Sequence, residues 1–547
     1  MFIGLRNRLD APFSNVSFFK KSIHIHGESD THVKLNESST LTITGLGCTI
    51  DTSAKLVDSN ASNVNNILIL YRSPFFRLTF FLRVIKMACS NVTSGFIDLA
   101  TFDEVEKYQY GSNQAFAYFV RETRKSTWFT QVPVMLARLS GSPGFGKEWS
   151  VQISRAADYL MHVWLRVRTP EVTLLTTNQF GVNGRIHWTK NFMHNLVRDC
   201  CITFNDLVAE RFDSYYLDFW AAFTTPASKQ EGYNNMIGNI DQLIAPHAPG
   251  VPLLERHLNL PLPFFFCRDT GVALPTAALP YNEMRINFCF RPWHELLILE
   301  NSVPVTGVNP FVRPIVGPTA DIAHEPHLEH ANVWANYAIM SNEERKRMAC
   351  APRDILVEQV QCAPKHNFHP MTNKCPRYDI RFSHSIKVLF FASQNVTSEN
   401  VRSNYTTASP VPGPVIDNYT PSNCWDPIEH ATLTYENTDR LSQMGSDYFA
   451  LVNPWYMAPT IPSETGYHMY SYSLNFFDVD PLGSTNYGKL TNVSLAPHCS
   501  EAAMIAQQGS GPPGSGADYP QKFEFIIVAV NSNIVRISGG ALGFPVL

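Results

Sequence analysis

The sequence predicts an all-β protein built from many short strands, and three observations carry that expectation. Proline and aromatic residues are abundant (37 Pro, 36 Phe, 21 Tyr and 9 Trp in 547 residues), which suits strands joined by turns. Several segments alternate apolar and polar residues with the period of two that a half-buried strand requires. Only 16% of residues are charged and 44% are hydrophobic, which excludes a disordered tail and a coiled coil. At about 100–200 residues per domain, the chain is long enough for two or more cores.

Taken in chain order, residues 27–65 hold 16 Ser, Thr or Asn with little periodicity, too little apolar surface to offset the entropy of ordering. Thr101-Phe-Asp-Glu104 reads as a capping box opening a short helix that stops near Gly111. Tyr159, Met161, Val163, Leu165 and Val167 alternate with His162, Trp164, Arg166 and Arg168, predicting a strand ended by Pro170. The clearest strand is Met284–Arg291, with Met284, Ile286, Phe288 and Phe290 on one face. Ser341-Asn-Glu-Glu344 predicts a short helix through Cys350, a connector between two domains. Tyr470, Tyr472, Leu474 and Phe476 alternate with Ser471, Ser473 and Asn475, predicting a strand. Phe525–Val530 is apolar throughout and fits a strand covered on both faces. Residues 507–518 (QQGSGPPGSGAD) predict a loop.

Charge divides the chain. Residues 1–86 carry 10 Lys/Arg against 6 Asp/Glu, whereas the remainder carries 33 against 41. The net charge of −4 gives no broad field for binding nucleic acid. Eleven cysteines without a pairing pattern favour a reducing compartment over a disulfide scaffold, and the adjacent Cys200 and Cys201 suit strand packing. Eight Asn-X-Ser/Thr sequons matter only on a secretory route, and Met1–Asp10 lacks the form of a signal segment. Ile67–Ile85 is broken by Arg72, Arg77, Arg83 and Pro74, so it fails as a membrane span.

Three groups of residues could carry chemistry. Gly141-Ser-Pro-Gly-Phe-Gly-Lys147 fits a phosphate loop up to its last position, where Glu148 replaces the magnesium-binding hydroxyl and a strand pattern replaces the helix; a turn between strands is the better reading. Cys362, His366, His369 and Cys375 could supply zinc ligands, but they lack the paired C-x-x-C knuckle, and no metal is expected there. His324, His327 and His330 recur every third residue around Pro326, which interrupts any helix that would align them. Phe264-Phe265-Phe266 and Tyr215-Tyr216 with Trp220 are expected as core or subunit-interface anchors. There is no H-E-x-x-H and no G-x-S-x-G.

Leu260–Ile286 (LPLPFFFCRDTGVALPTAALPYNEMRI), Thr93–Gly111 (TSGFIDLATFDEVEKYQYG) and Ile153–Leu160 (ISRAADYL) strongly resemble the major capsid proteins of iridoviruses, the iridescent viruses. The likeness continues through DILVEQVQ (Asp354–Gln361), GSTNYGKLTN (Gly483–Asn492) and GGALGFPVL (Gly539–Leu547), in order from Met87 to Leu547. Cys267 stands where a serine is expected. The resemblance implies two consecutive eight-stranded jelly rolls, a double jelly roll with short connecting helices, and a structural protein rather than an enzyme. It also implies homotrimers that form pseudo-hexagonal capsomers tiling the icosahedral shell of a large double-stranded DNA virus.

The expected partners are other copies of the chain, minor capsid proteins and the inner viral membrane, with no direct nucleic acid. No catalytic, cofactor-binding or metal-binding residue is expected. The expected location is the virion capsid, assembled in the host cytoplasm. The expected divisions are residues 1–86, an extension disordered or untranslated because translation begins at Met87; 87–341, the first roll; 342–352, a helical connector; and 353–547, the second roll.

Overall fold

The computed structural model describes residues 89–111, 115–301, 312–313, 315–350, 352–397, 400–407, 426–504 and 520–544, together with the backbone of 23–26, 30–35, 40–45 and 48–53. The expectations for Ile67–Ile85 and for residues 507–518 lie outside the described residues. Two compact units divide the chain, Met1–Arg124 and Lys125–Leu547.

In the N-terminal unit, Ile23–His26, Asp30–Leu35, Thr40–Gly45 and Cys48–Ser53 pair in sequence order as an antiparallel meander. This differs from the unstructured stretch expected over 27–65. Within these four strands, six of the seven Ser, Thr or Asn residues are threonine, which is β-branched and as fit for a pleated strand as the Ile43 and Ile50 it pairs beside. Two helices follow, Cys89–Ala100 and Glu104–Gln109. The second is the predicted one, with its cap moved two residues: Asp103 caps it through the Val105 amide and shares a capping box with Glu106, while the Thr101 hydroxyl bonds back to the Asp98 carbonyl.

The C-terminal unit is all-β in its layers and forms two jelly rolls. In the first, a five-stranded sheet runs Leu207–Asp213, Val197–Phe204, Met284–Phe290, Glu148–Gln152, Ala137–Ser140 in spatial order. A four-stranded sheet runs His257–Pro261, Tyr159–Arg168, Ala331–Met340, Phe129–Met135. All these pairings are antiparallel. Met284–Phe290 lies central, and Met284, Ile286, Phe288 and Phe290 are buried as their alternation predicts. Tyr159–Arg168 also forms, with a register shift opposite Asn336–Tyr337. That irregularity turns Leu160 into the main core and leaves Met161 in a small cluster with Ala273 and Ala338, which strict alternation does not foresee.

Asn342–Cys350 is the predicted helix between the rolls. Its Arg345 makes two hydrogen bonds to Asp158 of the first roll (2.7 and 3.0 Å), and the Met340 amide makes a third. Burial pushes the Asp158 carboxyl up, but these donors hold it below its ordinary value.

In the second roll, the sheet nearer the first runs Arg353–Cys362, Phe523–Ser538, Ser385–Asn395, His468–Ser471, and the far sheet runs Tyr378–Ile380, Val493–Cys499, Ile428–Tyr435, Thr438–Gly445. The strand predicted through Phe476 stops at Ser471. The Ser471 hydroxyl bonds the Ser473 carbonyl and the Ser473 hydroxyl bonds the Asn475 carbonyl, so side chains satisfy backbone groups that a ladder would otherwise hold, and Leu474 is left exposed.

Candidate functional site

Where the two rolls meet, the near sheet of the second roll is covered on both faces. Val388, Phe390, Ala392, Ile526, Val528 and Val530 belong to the large core shared with the first roll. Their alternate neighbours Leu389, Phe391, Phe525, Ile527 and Ala529 belong to the second roll's own core. The two sets stay in register across the strands, with Phe390 opposite Val528 and Phe391 opposite Ile527. This is the covered strand that the continuous apolar run Phe525–Val530 predicts.

The first roll contributes the helix Ser214–Thr224 to this seam, capped by Asp213 through the Tyr216 amide. Phe219 and Phe223 stack on Phe390, with ring centroids 6.0 and 5.4 Å apart. Trp220 meets Phe476 edge-on, and the Arg268 guanidinium lies 3.6 Å from a Trp220 ring centroid. The Tyr215-Tyr216-Trp220 cluster is thus an anchor between two domains of one chain. The triplet Phe264–Phe266 is core.

Buried charge ties the same seam. Glu358 of the second roll accepts a hydrogen bond from Lys387 and lies 3.7 Å from Arg268 of the first, and Arg268 also donates to the Tyr216 hydroxyl. Asp218 is a second hub: its two oxygens receive Asn191 (3.0 Å), His194 (2.7 Å), Ser403 (2.6 Å) and Tyr405 (2.8 Å). Ser403 and Tyr405 come from the chain after Ser385–Asn395, so one carboxylate binds both rolls. Burial pushes the Glu210 carboxyl up to about 8, against the attraction of Arg268 and a 2.8 Å hydrogen bond from the Phe265 amide. Such groups are costly to bury singly, and paired in this way they fix a single arrangement of the rolls.

The sequence candidates for chemistry fall elsewhere. Gly141–Lys147 turns the chain between the strands Ala137–Ser140 and Glu148–Gln152 and leads straight into the latter, without a helix. Gly141 has φ +72°, and a side chain there would meet the Glu148 carbonyl. Cys362, His366, His369 and Cys375 are not gathered: Cys362 ends a near-sheet strand, while the His366 ring stacks on Tyr378. His324, His327 and His330 lie in an irregular segment. The grouping of potential metal ligands among the described residues is a different one, Glu429, His430 and His498. Sequence reading missed it because the two histidines are far apart in the chain and meet only through strand pairing. Seven cysteines among the described residues are free thiols.

Two jelly rolls fused through a buried, charge-pinned seam define a double jelly-roll protein. Solved structures agree on the fold: the chain is similar to the quasi-atomic model of the PBCV-1 virus capsid (TM-score 0.61, 20% identity, 79% of this chain and 100% of that one). It is also similar to the Faustovirus major capsid protein (TM-score 0.59, 11% identity, 82% and 96%). Family models match in tandem, the major capsid protein N-terminus over residues 117–340 and the large eukaryotic DNA virus major capsid protein over 344–543. The major capsid protein of Invertebrate iridescent virus 6 is 66% identical over 468 residues, covering 84% of this chain and 100% of the relative. That of Frog virus 3 (isolate Goorha) is 47% identical over 465 residues, covering 84% and 99%. The chain belongs to the iridovirus major capsid proteins, within the capsid family of large eukaryotic DNA viruses. It is a structural protein of the virion capsid and not an enzyme.

Proposed function

We propose that three copies of this chain associate into a pseudo-hexagonal capsomer, and that such capsomers tile the icosahedral shell of a large double-stranded DNA virus assembled in the host cytoplasm. The observation that carries this reading is the seam. Two similar rolls held as one body give each chain two similar sides, so a threefold trimer offers six to its neighbours. Jelly rolls suit such a wall because their strand edges are short and protected. Minor capsid proteins and the inner viral membrane are the further partners we assign, with no direct contact to nucleic acid, no catalytic residue and no cofactor.

For the chain itself we propose a first roll within 87–341, a connector at 342–352 and a second roll at 353–547, with residues 1–86 outside the mature subunit. The reversal of charge near Lys86 and the 84% of the chain matched by curated relatives support that boundary. Obligate oligomers commonly bury more than about 2,000 Å² per interface, so the free monomer should be scarce. Native mass spectrometry of the purified protein at micromolar concentration tests the reading. Trimers are expected, and a stable soluble monomer as the main species would overturn it.

A further inference from the structure

The far sheet of the second roll has one face in the core and one outside. Along Val493–Cys499, Val493, Leu495 and Cys499 join the core, while Ala496 and His498 lie on the other face. Along Ile428–Tyr435 the core residues are Ile428, Ala431 and Leu433, so the first interval is three residues rather than two. A β-bulge causes this: Ile428 pairs with Cys499 and His430 with His498, leaving Glu429 as the extra residue. In a regular strand Glu429 and His430 would point to opposite faces. The bulge re-aims one of them, and both come to the outer face beside His498.

The three side chains converge there. The His430 and His498 rings stack with centroids 4.3 Å apart and planes 12° apart, and a Glu429 carboxylate oxygen lies 3.2 Å from His498 Nδ1. That Nδ1 is buried and has no hydrogen-bond partner among the described residues. One nitrogen from each ring and one carboxylate oxygen all lie within 4.8 Å of one another. On the other side of His430 the paired residue is Gly445, and the Asp447 carboxylate occupies the space a side chain at Gly445 would fill. A second acidic group therefore stands on the histidine-bearing face, since directly paired residues share a face.

We propose that Glu429, His430 and His498 form a binding site for a divalent transition-metal ion of the zinc type. Two imidazoles and one carboxylate suit zinc, which takes nitrogen at about 2.0–2.1 Å and oxygen at about 2.0–2.2 Å, whereas calcium and magnesium want oxygen ligands alone. Ligands of one tetrahedral ion sit about 3.4 Å apart at those bond lengths, so the present spacing closes by side-chain rotation on strands that already hold the backbone in register. One ring must leave the stack, because a bound ion lies in the plane of each imidazole. Lys374 is near enough to act on His430, and its flexible stem lets the ammonium swing into solvent as the ion enters. The three protein ligands leave a fourth position for water. Bound, the ion would clamp the ends of two central strands. This amends the expectation of a metal-free chain, and it rests on the local geometry independently of the capsid reading.

The test uses the full chain without an affinity tag, stripped with chelator and titrated with zinc chloride by calorimetry, with cobalt(II) absorption reporting coordination geometry. One zinc per chain is expected, with tetrahedral cobalt bands and a melting temperature raised by several degrees. His430→Ala, His498→Ala and Glu429→Gln should each weaken binding at least about tenfold, whereas Cys375→Ser should not. Glu429 is exposed, so its variant keeps the test valid if a histidine variant misfolds; circular dichroism identifies such a case. No binding at up to about millimolar zinc, or affinity unchanged in folded His498→Ala or Glu429→Gln, would overturn the proposal.

Discussion

Within the second roll, the near sheet packs apolar side chains on both faces, whereas the far sheet does so on one. Residues 388–392 and 525–530 send alternate side chains into two different cores. On the far sheet, outward positions carry Glu429, His430, Thr432 and His498, and its central strand has several register shifts. The doubly covered stretch keeps its register, with the near sheet's register shift falling at its edge between Ile386 and Val388, because a one-residue slip within it would exchange the contents of two cores at once. A sheet with one free face can bulge, and a bulge is what brings polar side chains together. Rigidity between domains and local chemistry therefore sit on opposite sheets of one roll.

The largest effect should come from breaking the doubly covered sheet at its centre. Phe390→Ala removes a ring that contacts Phe219, Phe223 and Phe476 at once. The loss is expected at about 3–5 kcal/mol, the usual range for a buried phenylalanine. Calorimetry should show the two rolls melting separately or both earlier. A melting profile matching the parent would mean that the seam does not couple them.

The same contrast explains what could be read from the sequence. Phe525–Val530 is legible because only a strand buried on both sides needs six consecutive apolar residues. Met284–Phe290 is legible because its alternation runs unbroken. The Tyr470–Phe476 alternation misleads, since the serines between the aromatics bond local backbone instead of leaving it to a ladder. The seam's polar hubs were illegible for a different reason. Asp218 and Tyr405, or Arg268 and Glu358, are distant in sequence and become partners only when two domains dock. The Glu429–His430–His498 cluster needed both a long-range pairing and a bulge, neither of which leaves a local pattern.

A comparable effect, spread over a range of pH, should follow from the charge balance of the seam. Glu210 has its folded-state pKa raised to about 8 from 4.5, first by burial. The folded protein therefore holds a proton that the unfolded chain releases. This contribution to stability is full below pH 4.5, declines as pH rises, and is lost as pH passes about 8. At about 1.4 kcal/mol per unit it amounts to a few kcal/mol. Glu210→Gln keeps an acceptor for the Phe265 amide and cannot ionise, so its melting temperature should fall less than the parent's between pH 5.5 and 8.5. Parallel pH profiles for the two proteins would refute the assignment.

The smallest effect sharpens the comparison by placing one substitution on each sheet. Ala392 is fully buried on the near sheet, opposite Ile526 and facing the core shared with the first roll. Ala496 sits on the far sheet at an outward position, opposite Thr432. Serine adds one hydroxyl at either site with little change in volume, so the difference measures the surroundings rather than the residue. At Ala392 the hydroxyl enters an apolar layer and should cost about 1–3 kcal/mol. At Ala496 it meets solvent, and the change should stay within about 0.5 kcal/mol. Side-by-side melting of Ala392→Ser and Ala496→Ser reads the difference directly. Equal melting temperatures would mean that solvent reaches the near sheet from the side of the first roll, and the division of labour between the two sheets would fail with it.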